Sequence, residues 1–480
     1  MAKRIAIIGG GGAGLAAAYE LELARAAGRD LAYTLYEAQE RLGGVLSTEV
    51  VDGTVLERGP DSFITEKTSA TALCRELGLG GELIPSNDAA RKTWIVVKNR
   101  LVALPDGLMF LVPTKLIPTA LTPLFSFSTK IRMGLELLSP PHANQNADET
   151  VAELVKRHFG QEAVDRLADP LLSGIYGGDA TQLSARAVLP RMVEMEAAHG
   201  SLVRGMLAAH RKMRAAVQAK TPAAGDGKPR GIFTTLRGGL QQMVDALEAR
   251  LNPAWIRRST PVQRVTKTVH GWEVEANGAV EQYDSVIMAS SAWVVSKLLA
   301  EVDAELSTEL EGIPYSSSIT VNLVYDEAKL GVLPEGFGFL VPASEGRTML
   351  AATFVHRKFL GRTPPGKAVI RAFLGGMRNE ALLEAEDESL VAIVRRELEE
   401  ILGAGVVPQA VEPEFTQVAR WRRAMAQYAP GHLERVRKIA EHVDKLPGLK
   451  LVGNAYDGIG IPDGIRLGRK AAKEIVGKNS

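Results

Sequence analysis

Six residues near the N-terminus constrain the fold more than any other feature: Gly9-Gly10-Gly11-Gly12-Ala13-Gly14, entered directly from an apolar run at 3–8. Periodicity predicts a buried strand over 3–8, a helix over 13–27 and a second strand over 31–37. This is a βαβ unit with G-x-G-x-x-G at its first turn. Gly9 permits the tight turn, Gly11 lets the backbone approach a pyrophosphate, and Gly14 lets helix and strand pack closely. Gly12 and Ala13 open the helix, whose N–H groups and partial positive charge face the phosphates. Glu37-Ala38 closes the second strand, Glu37 standing 23 residues after Gly14. A carboxylate there accepts both ribose hydroxyls and repels a ribose phosphate, so the ligand is FAD or NAD and not NADP.

The residues that follow choose between the two. Arg41-Leu42-Gly43-Gly44 supplies a cation for phosphate and a second pair of glycines over which backbone can pass beneath it. Such a second contact suits a flavin that stays bound rather than a nicotinamide that leaves. Near the other end Gly453-Asn454 follows a short predicted strand, and YDGIGIPDGIR at 456–466 precedes a helix. Gly460, Ile461 and Pro462 thus mark a second helix N-terminus, placed to meet the negative charge that builds at N1 and O2 of a reduced isoalloxazine. Three separated segments converge on one FAD. Cys74, the single cysteine, lies far from the flavin segment, so the attachment is non-covalent. It also rules out an internal disulfide or a thiolate metal cluster.

Composition narrows the partners. The 480 residues are 46% hydrophobic and carry 57 Lys+Arg against 56 Asp+Glu, a net charge of +1. No general basic field exists for nucleic acid. The longest charge-free stretch in the greasy region at 101–138 is 116–129, interrupted by Pro118 and Pro123. A span needs about 20 apolar residues, so none crosses a bilayer. Contact with a membrane surface and pairing with a second copy both stay open.

The pattern predicts an α/β protein with its domains interleaved. A Rossmann-like FAD-binding domain takes 1–90, 231–300 and 413–480. An antiparallel-sheet substrate domain takes 91–104, a hairpin, with 301–412. A helical insertion fills 105–219, with a capped helix start at Asp148-Glu149-Thr150, and 220–230 (KTPAAGDGKPR) is a linker. Further strands are expected at 263–269, 271–276, 285–290, 319–325, 338–341, 349–355, 368–374 and 449–452, with helices at 390–402 and 431–443.

The segment from Glu37 to Gly44 resembles the signature of the amine oxidase and phytoene desaturase flavoproteins. Five more segments are similar to the protoporphyrinogen/coproporphyrinogen oxidases of haem biosynthesis. They are ERGPDSF at 57–63, PLLSGIYGGDATQL at 170–183, GFGFLVP at 336–342, RWRRAMAQYAPGHLER at 420–435 and GNAYDGIGIPD at 453–463. The resemblance spans about 3–476. It implies an FAD-dependent, oxygen-consuming oxidation of a porphyrinogen: six electrons leave in three two-electron steps, each with hydrogen peroxide. A cytoplasmic setting is implied, with peripheral contact at the inner face of the cell membrane left open. Carried over by motif, FAD would also meet Gly59, Pro60, Asp61, Ser62, Val262 and Trp421. The macrocycle would meet Gly174, Ile175, Phe339, Leu340 and Thr353. Lys67 is a candidate cation for a propionate, or a solvated helix-face lysine. No catalytic acid–base dyad and no metal are assigned.

Within the family, Thr93 stands where protoporphyrinogen-type members often carry arginine. Asp106-Gly107, residues 112–115 (VPTK) and Leu124-Phe125-Ser126 resemble the bacterial coproporphyrinogen III branch. That branch is favoured, with protoporphyrinogen IX as the alternative substrate. An amine oxidase or desaturase, and a non-enzymatic binding protein of the same superfamily that would purify colourless, remain the rivals from further away.

Overall fold

The computed structural model describes residues 2–105, 107–109, 111–113, 116–140, 148–219 and 231–477. The predicted linker at 220–230, Asp106, Thr114 and Lys115 lie outside them.

The opening βαβ unit forms as the pattern dictates: strands Lys3–Ile8 and Leu31–Tyr36 flank helix Gly12–Ala26. They build an all-parallel five-stranded sheet in the order Ile256–Arg257, Leu31–Tyr36, Lys3–Ile8, Ser285–Met288, Leu449–Leu451. Ile5, Ile7, Leu35 and Ile287 are fully buried between this sheet and helices Gly12–Ala26 and Ile461–Val476. Parallel strands are covered on both faces, which is why 3–8 reads as a continuous apolar run. The two helices touch closely: a Cβ on Gly468 would fall 2.1 Å from the Ala13 carbonyl oxygen.

A second, seven-stranded sheet runs Phe415–Ala426, Tyr315–Asp326, Lys367–Gly375, Ala351–Phe354, Gly338–Leu340, Thr93–Val97, Arg100–Ala103. Its pairs are antiparallel except Gly338–Leu340 with Thr93–Val97. One face packs Ile319, Val321, Leu323 and Ile370 against helix Asp387–Leu402. The other face carries polar groups: Thr320 and Asn322 donate to the carbonyls of Arg58 and Glu57. This polar face receives the segment at 57–61.

The chain differs from the sequence reading in several places. Phe415–Ala426, grouped by sequence with the flavin unit, is the edge strand of the seven-stranded sheet. Its run RWRR hides a strand because an edge tolerates solvated side chains. Ala279–Tyr283 adds an unexpected third strand beside Val262–Thr268 and Gly271–Ala276. Leu108–Met109 and Val112–Pro113 pair briefly where helix was expected. The strand expected over 349–355 stops at Phe354, where the chain turns into helix Val355–Lys358.

The capped helix start expected at Asp148-Glu149-Thr150 forms. Thr150 caps helix Val151–Phe159 in a reciprocal box with Glu153. At its other end His158, 4% exposed, lies between the Glu136 and Glu196 carboxylates at 2.8 and 3.1 Å. Glu136 also accepts the N–H groups of Leu202 and Val203, holding the start of helix Leu202–Ala219.

Candidate active site

The glycines of the first turn separate into distinct physical tasks. Gly9 has φ +110°, and a Cβ there would meet the Ala289 carbonyl oxygen at 2.7 Å. A Cβ on Gly14 would sit 1.9 Å from the Gly9 carbonyl oxygen, whereas one on Gly11 would meet nothing within 4 Å. Gly11 is the N-cap of helix Gly12–Ala26 and makes no side-chain capping bond, with no acidic residue in the first turn. The helix N-terminus is thus open to an external anion. The second glycine pair lies against the first turn: Gly43 N–H donates to the Gly10 carbonyl at 2.8 Å, and Gly44, at φ +57°, places its Cα side over Gly11.

Glu37 is fixed at this turn. Its two carboxylate oxygens accept the N–H groups of Gly10 at 2.7 Å and Gln39 at 2.8 Å. Each oxygen keeps a further lone pair, so the group is oriented but not saturated. Ala38 is exposed beside it. Val262, half-buried, follows closely on Thr260, whose N–H donates to the Glu37 carbonyl. It therefore lies at the same end of the site.

Arg41 departs from the sequence reading. Its guanidinium donates to the carbonyls of Leu42 and Leu46, both at 2.7 Å, and to that of Gly44. It braces the Gly43-Gly44 turn from behind. Burial, and then the Arg58 charge, hold its pKa below the ordinary arginine value.

The third segment closes the site from the C-terminal side. Gly453 has φ +138°, and Asn454 is anchored through its Nδ2 to the Ala424 carbonyl and through its own carbonyl to the Tyr428 hydroxyl. Gly460 caps helix Ile461–Val476, with Pro462 in the first turn. That turn lies beside the first helix, a Cβ on Gly464 being 3.8 Å from Ala13 Cβ. Two helix N-termini therefore lie side by side. Asp463 folds back to accept the Gly460 N–H, and Lys67 Nζ lies 2.6 Å from its Oδ2. Lys67, a candidate propionate cation, already has a carboxylate partner at the helix start.

Residues 57–62 are clamped between the seven-stranded sheet and the backbone at Val45. A Cβ on Gly59 would fall 1.8 Å from the Val45 carbonyl oxygen and 3.6 Å from Trp421 Cζ2. Trp421 donates its indole N–H to the Arg58 carbonyl at 2.7 Å. Pro60 and Ser62 are half-buried, and Ser62 donates to Asp61 at 2.6 Å. Below them runs a chain of buried charges invisible to motif reading. Glu57 pairs with Arg362 at 2.5 Å, Asp61 with Lys358 at 2.8 Å, and Arg371 donates to the Gly59 carbonyl. Burial favours the neutral acid at Asp61, but Lys358 and Arg371 outweigh it and hold the carboxyl far below its usual range. The available signal was a lone Arg371 inside the otherwise apolar strand AVIRAFLG.

Across from this loop, helix Asp169–Tyr176 presents Gly174 to the sheet, where a Cβ would lie 3.2 Å from Leu340 Cδ2. Ile175 is exposed next to it, at 54%. Leu340 shares its sheet face with Thr353, because Gly338 pairs with Thr353 and strand residues alternate. Phe339 does not join them. It points to the opposite face, 1% exposed, with its ring 6.3 Å from that of Phe354. The strand period of two makes it a core residue rather than a lining one.

The residues present fit a flavin dinucleotide: an uncapped helix start at an open glycine, an oriented carboxylate at the end of the second strand, and a second helix start beside the first. Fold and site define a flavin-dependent oxidoreductase. Residues 13–476 match the model of the flavin containing amine oxidoreductases. The coproporphyrinogen III oxidases of Bacillus subtilis and Staphylococcus aureus are 33% and 30% identical, over 99% of this chain in each case and 98% and 99% of theirs. A crystal structure from Exiguobacterium sp. 255-15, whose name assigns it to the protoporphyrinogen oxidases, superimposes with a TM-score of 0.86 at 32% identity, covering 99% of both chains. The chain belongs to the flavin containing amine oxidoreductase family, in its bacterial porphyrinogen oxidase branch.

Proposed function

We propose that the chain oxidises coproporphyrinogen III to coproporphyrin III with FAD held non-covalently. Six electrons and six protons leave the macrocycle while three O2 become three H2O2. The chemistry FAD supplies is two-electron acceptance from reduced carbon and return of those electrons to oxygen. This chain's own residues bind and orient. Glu37 takes the ribose, the N–H groups of Gly11, Gly12, Ala13 and Gly14 take the pyrophosphate, and the start of helix Ile461–Val476 faces the charge-accumulating edge of the ring system. Gly174, Ile175, Leu340 and Thr353 form the slot for the tetrapyrrole. No general base is required of them: the reading asks for positioning and exclusion of water.

The observation that carries this reading is a side-chain-free helix position, Gly174, packed against Leu340 on the sheet that seats residues 57–61, with Ile175 exposed beside it. A flat macrocycle needs such an approach to backbone. The test is steady-state oxidation of coproporphyrinogen III and protoporphyrinogen IX side by side, with flavin absorbance read on the same sample. We expect a yellow protein that prefers coproporphyrinogen III. Preference for protoporphyrinogen IX makes it the alternative enzyme, and inactivity on both sinks the reading. Gly174→Phe should stop turnover and leave the flavin spectrum intact; a variant that loses flavin would make Gly174 a folding glycine.

The basic residues near the slot predict little selectivity through Lys67. Lys67 is paired with Asp463, Lys92 lies 4.3 Å from the Trp94 ring centre, and only Arg91 of the three projects freely at the surface. Lys67→Ala should therefore lower kcat/KM on both porphyrinogens by the same factor, since it unsettles a helix start and not a propionate. A loss confined to coproporphyrinogen III would restore Lys67 to the substrate.

We place the protein in the cytoplasm. No helix among the described residues is long and apolar enough to cross a membrane. Ile117, Leu121, Phe127 and Leu138 are nonetheless exposed, Phe127 at 79%, which supports contact with a membrane's inner face. Absence from sedimented anionic vesicles would remove that contact from the proposal.

A further inference from the structure

We infer that Arg378 is a positioning residue that holds helix Asp169–Tyr176, and with it Gly174, against Leu340, an inference that rests on Gly174 and Leu340 lining the tetrapyrrole slot. Helix Asp169–Tyr176 is an unusual element on which to place a binding surface. It is short, it follows a wide π-helical turn at Val164–Ala168, and it ends on Gly177 in the left-handed region at φ +56°. Such a helix gains little from its own length. Leu172 packs it into the helical core, and charge from another element ties its two ends.

Arg378 leaves the turn that follows strand Lys367–Gly375. Its Nη2 lies 2.7 Å from Asp169 Oδ1, at the first residue of the helix. Its Nε donates to Asp179 Oδ2 at 2.9 Å, just beyond the last. The chain doubles back after Gly177, so one guanidinium ties both ends of the helix. The neighbouring Met377 N–H donates to the Gly177 carbonyl at 3.2 Å and fixes the same turn.

The carboxylates reach further. Asp169 Oδ2 accepts the Ala343 N–H at 3.0 Å, and Ala343 stands three residues beyond Leu340 on the same strand exit. Asp169 therefore joins the helix that carries Gly174 to the strand that carries Leu340, and Arg378 joins both to the sheet. Asp179 is held in turn by the Thr181 N–H and hydroxyl at 2.9 and 2.7 Å. Both acids are almost fully buried, at 6% and 9% exposure. Without the guanidinium, two neighbouring carboxylates would lose the cation they share and repel each other. The helix would move away from the strand, and Gly174 would lose its place against Leu340.

A slot whose wall has shifted holds the macrocycle less well without altering the flavin. Arg378→Gln should therefore raise KM for coproporphyrinogen III by about tenfold while kcat and flavin content stay near wild type. Arg378→Lys keeps the charge but loses the fork, and should recover most of that loss. The decisive reading is the coupling to Gly174. Gly174→Ala sets a methyl 3.2 Å from Leu340 Cδ2, so its cost should shrink in the Arg378→Gln background, where the helix can yield. Additive losses, an unchanged KM, or a fall in kcat that tracks flavin content would each overturn the inference. Should Arg378→Gln fail to fold, Asp179→Asn removes one arm of the clamp and must show the same rise in KM. Hydrogen exchange over 169–181 reads the clamp without substrate: faster exchange in Arg378→Gln is required, with 9–14 unaffected. A wild type inactive on porphyrinogens, but with this exchange result, would sink the slot's assignment and leave the clamp standing.

Discussion

Gly14→Val should yield a colourless protein with no porphyrinogen oxidation above background. The Cβ of any residue at 14 would fall 1.9 Å from the Gly9 carbonyl oxygen, and the Ala289 Cβ stands 3.2 Å away on the other side. Neither neighbour can retreat: Gly9 donates its N–H to the Tyr36 carbonyl, and Ala289 donates its own to Ile8. The turn must therefore open, and the helix start leaves the strand ends it serves. Gly11→Ala is the contrasting variant. Its backbone, at φ −70°, suits any residue, and the added methyl meets nothing within 4 Å. That protein should melt like wild type yet release flavin on dialysis, because the methyl occupies the space through which a phosphate approaches. Equal melting temperatures for both variants, or retained flavin in Gly14→Val, would refute the division of labour among the glycines.

The second large effect concerns stability. Arg362→Leu should destabilise the fold by about 3–5 kcal/mol, the cost of stranding one member of a buried ion pair. The Arg362 side chain is 0% exposed and that of Glu57 2%. Glu57 also accepts from Thr48 Oγ1 at 2.7 Å and from the Leu240 N–H at 2.8 Å, so the carboxylate organises three segments. Burial raises the Glu57 pKa even with Arg362 present, and removing the guanidinium raises it further. A carboxyl whose native pKa exceeds its unfolded one binds more protons when folded, so stability falls as pH rises between the two values. The destabilisation of Arg362→Leu should thus deepen from mildly acidic to neutral pH in denaturant titrations. Glu57→Gln added to it should flatten that dependence. A pH-independent loss would mean that Arg362 acts by packing alone.

The glycine turns, the parallel strands and the capped helix at Thr150 were legible because each is decided locally. Backbone room, period and capping chemistry are written in neighbouring residues. The assignments that shifted are those decided by partners distant in sequence. Arg41 carries charge and lies near a presumptive phosphate, yet whether it reaches outward or grips Gly44 depends on how its loop closes. Phe339 and Leu340 are adjacent and alike in composition, and only the pairing with Ala352 and Ala351 tells which one faces the slot. Phe415–Ala426 reads as polar because it lies at a sheet edge. The buried row of Glu57, Asp61, Lys358, Arg362 and Arg371 joins residues about three hundred positions apart, and no local rule announces that such charges go inside.

The packing of helix Ile461–Val476 on helix Gly12–Ala26 has a consequence for how the molecule is made. Lys3 Nζ donates to the Ile475 carbonyl, and the edge strand Leu449–Leu451 completes the sheet begun by Lys3–Ile8. A nascent chain whose first hundred residues have emerged holds the dinucleotide turn but not the helix that shelters it. The half-built sheet waits, apolar face exposed, until synthesis has passed residue 476. Contacts of such long range close slowly, and the exposed intermediate is the species at risk of aggregation. Flavin added during synthesis can bind only after that last helix docks, so supply of the cofactor should change the yield of finished protein and not the rate at which its early segments fold.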